Sequence, residues 1–211
     1  MQATYLYSSD LSDRPALADA MFRDRAAQFR DRLGWAVEVD RNGWETDQYD
    51  RHDPLYVLLH EDDRHLGSMR FLPTTGPHMA AEHFAHLLDN RAVPRSDLWE
   101  CTRFCLAPDA PAGAARRLML AASELGLGLG LGASLGVFDA PMLRVYRRLG
   151  WAPEPMGLAG GIAAGIWRFD PDVHDRLLAR TGVDARASRA RFEAAFPYVV
   201  AHPLAPMHHA A

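Results

Sequence analysis

Four charged residues of this 211-residue chain stand where charge is expensive. Arg25 lies in a run with helical apolar spacing. Arg70, and then Glu100 and Arg103, lie in apolar runs with strand character. Charges in such places are costly unless paired, so each needs a partner. Asp47 and Asp50, three apart in the polar stretch between them, have the matching sign. Two kinds of chemistry fit. Structurally, the set is an ion-pair lattice that fastens a loop. Functionally, the same side chains would contact a substrate directly, since perturbed titratable groups cluster at active sites as well as in salt-bridge networks. Glu100 and Arg103 are three apart, so a regular strand points them to opposite faces. They share one cleft only if a bulge lies between them.

The elements that must position these residues follow from periodicity. Ala16 to Leu33 reads as an amphipathic helix with Leu17, Met21 and Phe29 on one period. Residues 40–54 read as a surface loop. Leu55 to His60 and Leu66 to Leu72 read as a hairpin around Asp62-Asp63-Arg64. Pro77 to Leu88 reads as a helix, Leu98 to Leu106 as a strand, and the run from Ala114 to about Leu129 as a helix weakened by glycine. Ser134 to Phe138 reads as a strand, Pro141 to Leu149 as an arginine-rich helix, Ile162 to Phe169 as a strand and Pro171 to Arg180 as a helix. The expected fold class is α/β: strands alternate with helices after an opening helix and a hairpin, which predicts one domain over 1–211 with a central sheet between helical layers, and a loose tail over 197–211.

Composition narrows the function class. Apolar residues make up 48% and charged residues 24% of the chain, as in a folded globular domain. The formal net charge of -4 gives no overall attraction to nucleic acid. The low-charge run Leu118 to Phe138 holds Glu124 and five glycines, so it is not expected to span a membrane. Cys101 and Cys105 lie about 13 Å apart along a strand, too far for a disulfide. With no secretory pattern at the start, the expected location is the cytoplasm. His83 and His86 have helical spacing but no third ligand, and the Glu45, Asp47 and Asp50 cluster lacks a calcium-loop pattern, so no metal is expected.

Taken in order, the pieces Met21-Phe22-x-x-Arg25-x-x-x-Phe29, Trp35, Glu45-x-Asp47-x-Tyr49-Asp50, Gly67-Ser68-Met69-Arg70-Phe71-Leu72-Pro73-Thr74, Phe84 and Trp99-Glu100-x-x-Arg103-Phe104 resemble the LuxI-type acyl-homoserine-lactone synthases. The resemblance runs from Met21 to Trp151. It implies a mixed-sheet α/β/α sandwich related to the GCN5-related N-acetyltransferases, with a strand bulge near Arg103. It implies S-adenosylmethionine as a substrate rather than a cofactor, an acyl carrier protein or, less often, coenzyme A as acyl donor, and methylthioadenosine as by-product. The methionine-derived amine must be neutral to attack a thioester, which suits Glu100 as base, directly or through a water. Strand amides near Phe104, with Arg103, suit the oxyanion. Phe29 and Trp35 suit a sulfonium cation, although aromatics of this kind are also ordinary core. Arg25, Asp47, Asp50 and Arg70 suit a clamp over the substrate. Phe84 is counted with the substrate-binding residues, while its apolar character alone favours core. Where some members carry Ser or Thr against a 3-oxo group, this chain has Val137-Phe138-Asp139-Ala140. An acidic carrier needs a local basic face, and Arg116, Arg117, Arg144, Arg147 and Arg148 are the candidates, expected as one patch at the acyl-entry side; the bland reading is a solvated helix face.

Three rival readings remain at this point. Glu124-Leu-Gly126-Leu-Gly128-Leu-Gly130, with Asp139 downstream, mimics the glycine-rich loop of Rossmann-type methyltransferases, but it follows a helical pattern where that motif follows a strand. Ala112-Gly113-Ala114-Ala115 ahead of a helix fits the phosphate or pantetheine arm of an ordinary acyl-coenzyme A N-acyltransferase. A non-catalytic ligand sensor on the same fold is the third.

Overall fold

The computed structural model describes residues 1–201, and all of its strands join one seven-stranded sheet in the order β1-β2-β3-β4-β5-β7-β6. The strands are β1 (Gln2–Tyr7), β2 (Leu55–Glu61), β3 (Arg64–Pro73), β4 (Leu98–Leu106), β5 (Ala133–Asp139), β6 (Glu154–Ala159) and β7 (Ile162–Arg168). Neighbours are antiparallel except β4 and β5, which run parallel and are joined through helix α3 (Ala114–Gly128). This is the expected mixed-sheet α/β sandwich. The chain opens on a strand rather than a helix, and β6 is a second strand the periodicity did not reveal.

Burial on both faces explains the unbroken apolar run of β2. Leu55, Val57 and Leu59 join a core with Leu118, Leu120 and Leu125 of α3, while Tyr56 and Leu58 join a second core with Leu17, Met21 and Phe22. The latter three lie on α1 (Pro15–Ala26), whose first residue is the proline that suits a helix start. The helix expected from Ala16 to Leu33 therefore divides: α1 ends at Ala26 and a π-helical segment covers Ala27–Arg32. The expected helix from Pro77 to Leu88 shrinks to α2 (Met79–His83) and a 3-10 turn over Ala85–Leu87. On the α3 face lie α4 (Met142–Leu149), α5 (Pro171–Thr181) and α6 (Ala185–Ala195), with Asp170 and Asp184 as N-caps of the last two. Of the expected loose tail, Pro197–Ala201 is helix α7, and 202–211 lies outside the described residues.

The glycine run is helix, which removes the methyltransferase reading. Gly126 and Gly128 lie within α3, not in a loop after a strand, and packing explains them. A Cβ on Gly126 would meet the Phe169 ring at 2.1 Å, and one on Gly128 would meet the Phe192 ring at 2.3 Å. The glycines admit two aromatic rings against the helix backbone. Gly126→Ala is expected to lower stability by about 1–3 kcal/mol through overpacking, despite a helix-propensity gain of about 1 kcal/mol. Denaturant unfolding checks this; a stabilised variant would show that the ring does not press on the helix.

Candidate active site

The polar stretch after the π segment is fixed by its own carboxylates. The Asp47 side chain accepts from the Tyr49 N–H at 2.9 Å, and the Asp50 side chain accepts from the Asp47 N–H at 2.8 Å, a reciprocal cap around the 3-10 turn Gln48–Arg51. The remaining oxygen valences are spent on arginines. Arg25 of α1 donates to Asp50 through both terminal nitrogens at 3.0 Å and through Nε to Glu45 at 2.6 Å. Arg70 of β3 donates to both oxygens of Asp47, at 2.5 and 3.0 Å, and lies 2.8 Å from Asp50. Arg103 of β4 donates to Glu45 and Asp47, each at 2.8 Å. Three loop carboxylates thus face three guanidiniums from three different elements. Thr102 Oγ1 accepts from Arg70 Nε at 3.0 Å, and the Tyr56 hydroxyl donates to Asp50 at 2.6 Å.

Charge, not neutralisation, is how this buried cluster is stabilised. Burial favours the neutral form of Asp50, but the adjacent Arg25 and Arg70 outweigh it and hold the carboxyl well below the usual range. Burial likewise opposes charge on Arg25, and Asp50 and Glu45 more than offset it. Each guanidinium also rests near an aromatic ring: Arg25 by Phe22 at 5.2 Å, Arg70 by Tyr49 at 5.6 Å and Arg103 by Phe29 at 5.3 Å. Glu45 is the member the sequence reading leaves out of the clamp. Glu45, Asp47 and Asp50 are all paired with arginine.

The expected bulge is present. Thr102 pairs with Arg70 and Cys105 with Ser68, so Arg103 and Phe104 together oppose the single residue Met69. Arg103 takes the left-handed φ of 54°. The extra residue puts Arg103 on the face already used by Glu100 and Thr102, and Phe104 on the other, where it meets Tyr146 edge-on. Glu100 does not enter the same cleft, however. It is 1% exposed and its carboxylate accepts the N–H groups of Met79 at 3.0 Å and Ala80 at 2.6 Å at the start of α2. Burial raises its pKa; the two amides, His78 and Arg70 only partly oppose this.

A cavity of about 620 Å³ follows from the sheet register. β4 and β5 pair only over Leu98–Glu100 and Ala133–Leu135, then diverge, and the cavity fills the fork. On the α1 face its wall includes Phe29, Trp35, Met79, Phe84 and Arg103; on the α3 face it includes Cys101, Phe104, Met119, Phe138, Tyr146 and Trp167. Phe84 is thus half-buried cavity wall rather than core. Trp35 stacks on Phe29 at 5.1 Å and remains 38% exposed, so it is not core either. Phe29 is buried between its contacts with Trp35 and Arg103. Glu100 sits one layer behind the wall, bonded to the backbone of Met79. Cys101 and Cys105 are free, and burial pushes their thiols up, Cys105 to about 12, so neither is a thiolate nucleophile near neutral pH.

A family model described as autoinducer synthase matches residues 8–162. The chain belongs to that family. An acyl-homoserine-lactone synthase of Rhizobium etli is 42% identical over 173 residues, covering 76% of this chain and 81% of that protein. An isovaleryl-homoserine lactone synthase of Bradyrhizobium diazoefficiens is 33% identical, covering 74% and 71%. Among solved structures, TofI in complex with an inhibitor and MTA superposes with a TM-score of 0.68 at 29% identity, covering 89% of this chain and all of that one. The fold alone is shared with the coenzyme A-dependent synthase BjaI (TM-score 0.77, 24% identity, coverage 90% and 98%) and with an acyl-CoA N-acyltransferase of Pseudomonas aeruginosa (0.54, 16%, 79% and 98%). The chain is therefore an acyltransferase of the homoserine-lactone type, and the ordinary N-acyltransferase and sensor readings fall away.

The candidate docking arginines differ in exposure and partners. Arg117 reaches the Thr181 carbonyl at 3.5 Å, and the Arg116 Nε is buried without a partner. Arg144, Arg147 and Arg148 are exposed on α4, whose opposite side supplies Met142, Val145 and Tyr146 to the cavity.

Removing one carboxylate of the lattice tests its energetics. Asp50→Asn leaves three buried guanidiniums facing two carboxylates, one positive charge uncompensated, and is expected to cost about 3–5 kcal/mol, read by denaturant unfolding. Because the folded Asp50 titrates below the unfolded carboxyl, its stabilisation is present above the unfolded value near 4 and is lost only as pH falls below that. The difference between wild type and Asp50→Asn should thus be flat from pH 7 to pH 5; a decline inside that window would contradict the lattice.

Proposed function

We propose that this chain transfers an acyl group from acyl carrier protein to the amine of S-adenosylmethionine and closes the lactone in the β4–β5 fork, releasing methylthioadenosine as a signal is made. The observation that carries this reading is the coincidence, at Arg103 and Phe104, of a broken strand ladder, an arginine held by two carboxylates and a largely apolar cavity. Strand residues released from ladder pairing have backbone N–H groups free to aim at a developing oxyanion. The apolar wall on the α3 face suits the acyl chain. On the α1 face, the stacked pair Phe29 and Trp35 suits the sulfonium, with Trp35 the exposed member. Lactone closure needs the substrate's own carboxylate folded back onto the carbon next to sulfur, which is chiefly a matter of positioning. The clamp of Arg25, Asp47, Asp50 and Arg70, with Glu45, holds the loop that closes this side. S-adenosylmethionine is consumed here as a substrate. The two free cysteines fit a reducing cytoplasm.

Glu100 takes the amine proton through a water, in this reading, because its carboxylate is raised in pKa yet lies behind Met79. A raised carboxyl is a stronger base near neutral pH, and the acid limb of kcat/KM reports its ionisation. Glu100→Gln is expected to cut turnover by about 100-fold and to abolish that limb while the fold persists. Retention of the limb, with activity merely scaled down, would make Glu100 a positioning residue for α2. The measurement is methylthioadenosine release across pH 5 to 9.

The carrier preference rests on the three exposed arginines of α4 beside the cavity wall. Rim charges act mainly on association rate and its salt dependence. Reversing Arg144 and Arg148 to Glu is expected to raise KM for the acyl-carrier substrate at low salt and leave that for S-adenosylmethionine unchanged. The effect should fade as the screening length shrinks to about 8 Å near physiological ionic strength. A normal carrier KM at low salt would instead favour an acyl-coenzyme A donor.

A further inference from the structure

The closed end of the cavity holds one polar group with nothing to bond. Ser134 stands where β4 and β5 are still paired, opposite Trp99 on β4 and Trp167 on β7, and its side chain is part of the cavity wall. The residue is 3% exposed, and its Oγ is buried without a hydrogen-bond partner. Its polar neighbours are already committed. The indole N–H of Trp99 is given to the Ser96 carbonyl, that of Trp167 to the Trp151 carbonyl and that of Trp151 to the Arg168 carbonyl. The rest of this end is apolar, with Met119, Ala122 and Phe169. A buried hydroxyl in such a place costs stability unless a ligand or water completes it.

We infer that Ser134 is a specificity residue that hydrogen-bonds an oxygen, as hydroxyl or ketone, carried in the distal part of the acyl chain. The inference rests on the placement of the thioester carbonyl at Arg103–Phe104 proposed above. From there to the level of Trp99 and Ser134 is five residues of β4, one of them absorbed by the bulge. Four ladder steps span about 13 Å. A substituent on the third carbon lies far short of that, so the oxygen belongs well down the chain. The hydroxyl of serine donates to a ketone and either donates to or accepts from an alcohol, so both oxygen types fit the same site.

The test uses the full chain, S-adenosylmethionine and matched acyl thioesters of equal length: unsubstituted, with a distal hydroxyl, with a distal ketone, and with a 3-oxo group. Methylthioadenosine release gives kcat/KM for each. Wild type should favour a distally oxygenated donor over the unsubstituted one by about tenfold, the scale of one neutral hydrogen bond, with no such gain for the 3-oxo donor. Ser134→Ala should bring that ratio close to one while still turning over the unsubstituted donor. The hydroxyl and ketone arms identify which oxygen is read. The same ratio in wild type and Ser134→Ala, for every matched pair, overturns the inference and leaves the synthase reading intact. No release with any donor overturns both.

Discussion

A buried charge must be answered, and in this protein the answer is what builds the substrate side of the site. Arg25, Arg70 and Arg103 come from a helix and two strands that would otherwise present desolvated guanidiniums. Glu45, Asp47 and Asp50 come from one loop, which also packs Trp44 on Phe22 and buries Tyr49. Either set alone would be unfavourable in the interior; together they tie the loop to α1, β3 and β4. The loop's own capping hydrogen bonds use the same carboxylates, so local conformation and long-range pairing are fixed by one group of atoms. Anything that depends on the loop's position, including the wall at Phe29 and Trp35, inherits this dependence.

Much of this was legible in the sequence because strong rules applied. The hairpin came out almost as expected, Leu55–Glu61 and Arg64–Pro73, since its apolar runs are bounded by a charged turn. The boundaries of β4 matched, and the need for a bulge followed from the parity of Glu100 and Arg103. Other features had weak local signals. β1 buries Tyr5 among mostly half-exposed neighbours, so no alternation stands out. β6 contains Pro155 and Gly157, which argue against a strand, but it lies at the sheet edge, where proline is tolerated. The glycines of α3 weakened the helical signal without ending the expected helix, and their reason is tertiary: two aromatic rings that only the folded chain brings there.

The site itself was less legible than its residues. Sequence named the arginines, Asp47 and Asp50, but with Glu100 counted among the carboxylates the charges already balanced, so nothing called for Glu45 until Glu100 proved to be spent on α2. What no pattern contained was depth. Glu100 sits in the strongest motif, yet it spends both oxygens on α2 and stands behind the cavity wall. Phe84 and Trp35 look like core by type and are wall and rim by position. Ser134 carried no signal at all; a serine at the start of a strand is unremarkable until its surroundings show the neighbouring indole N–H groups occupied.

The parting of β4 from β5 has a kinetic meaning. A cavity made by interrupted pairing passes through the sheet, so it has walls on both faces and a rim on each, at Leu33 and Trp35 on one side and at Val145 on the other. Two molecules entering from opposite faces would not then compete for one doorway. Burial holds both thiols of β4 neutral, so that strand offers no thiolate as a covalent way station. Direct transfer between two molecules bound together gives steady-state rate plots that intersect rather than run parallel.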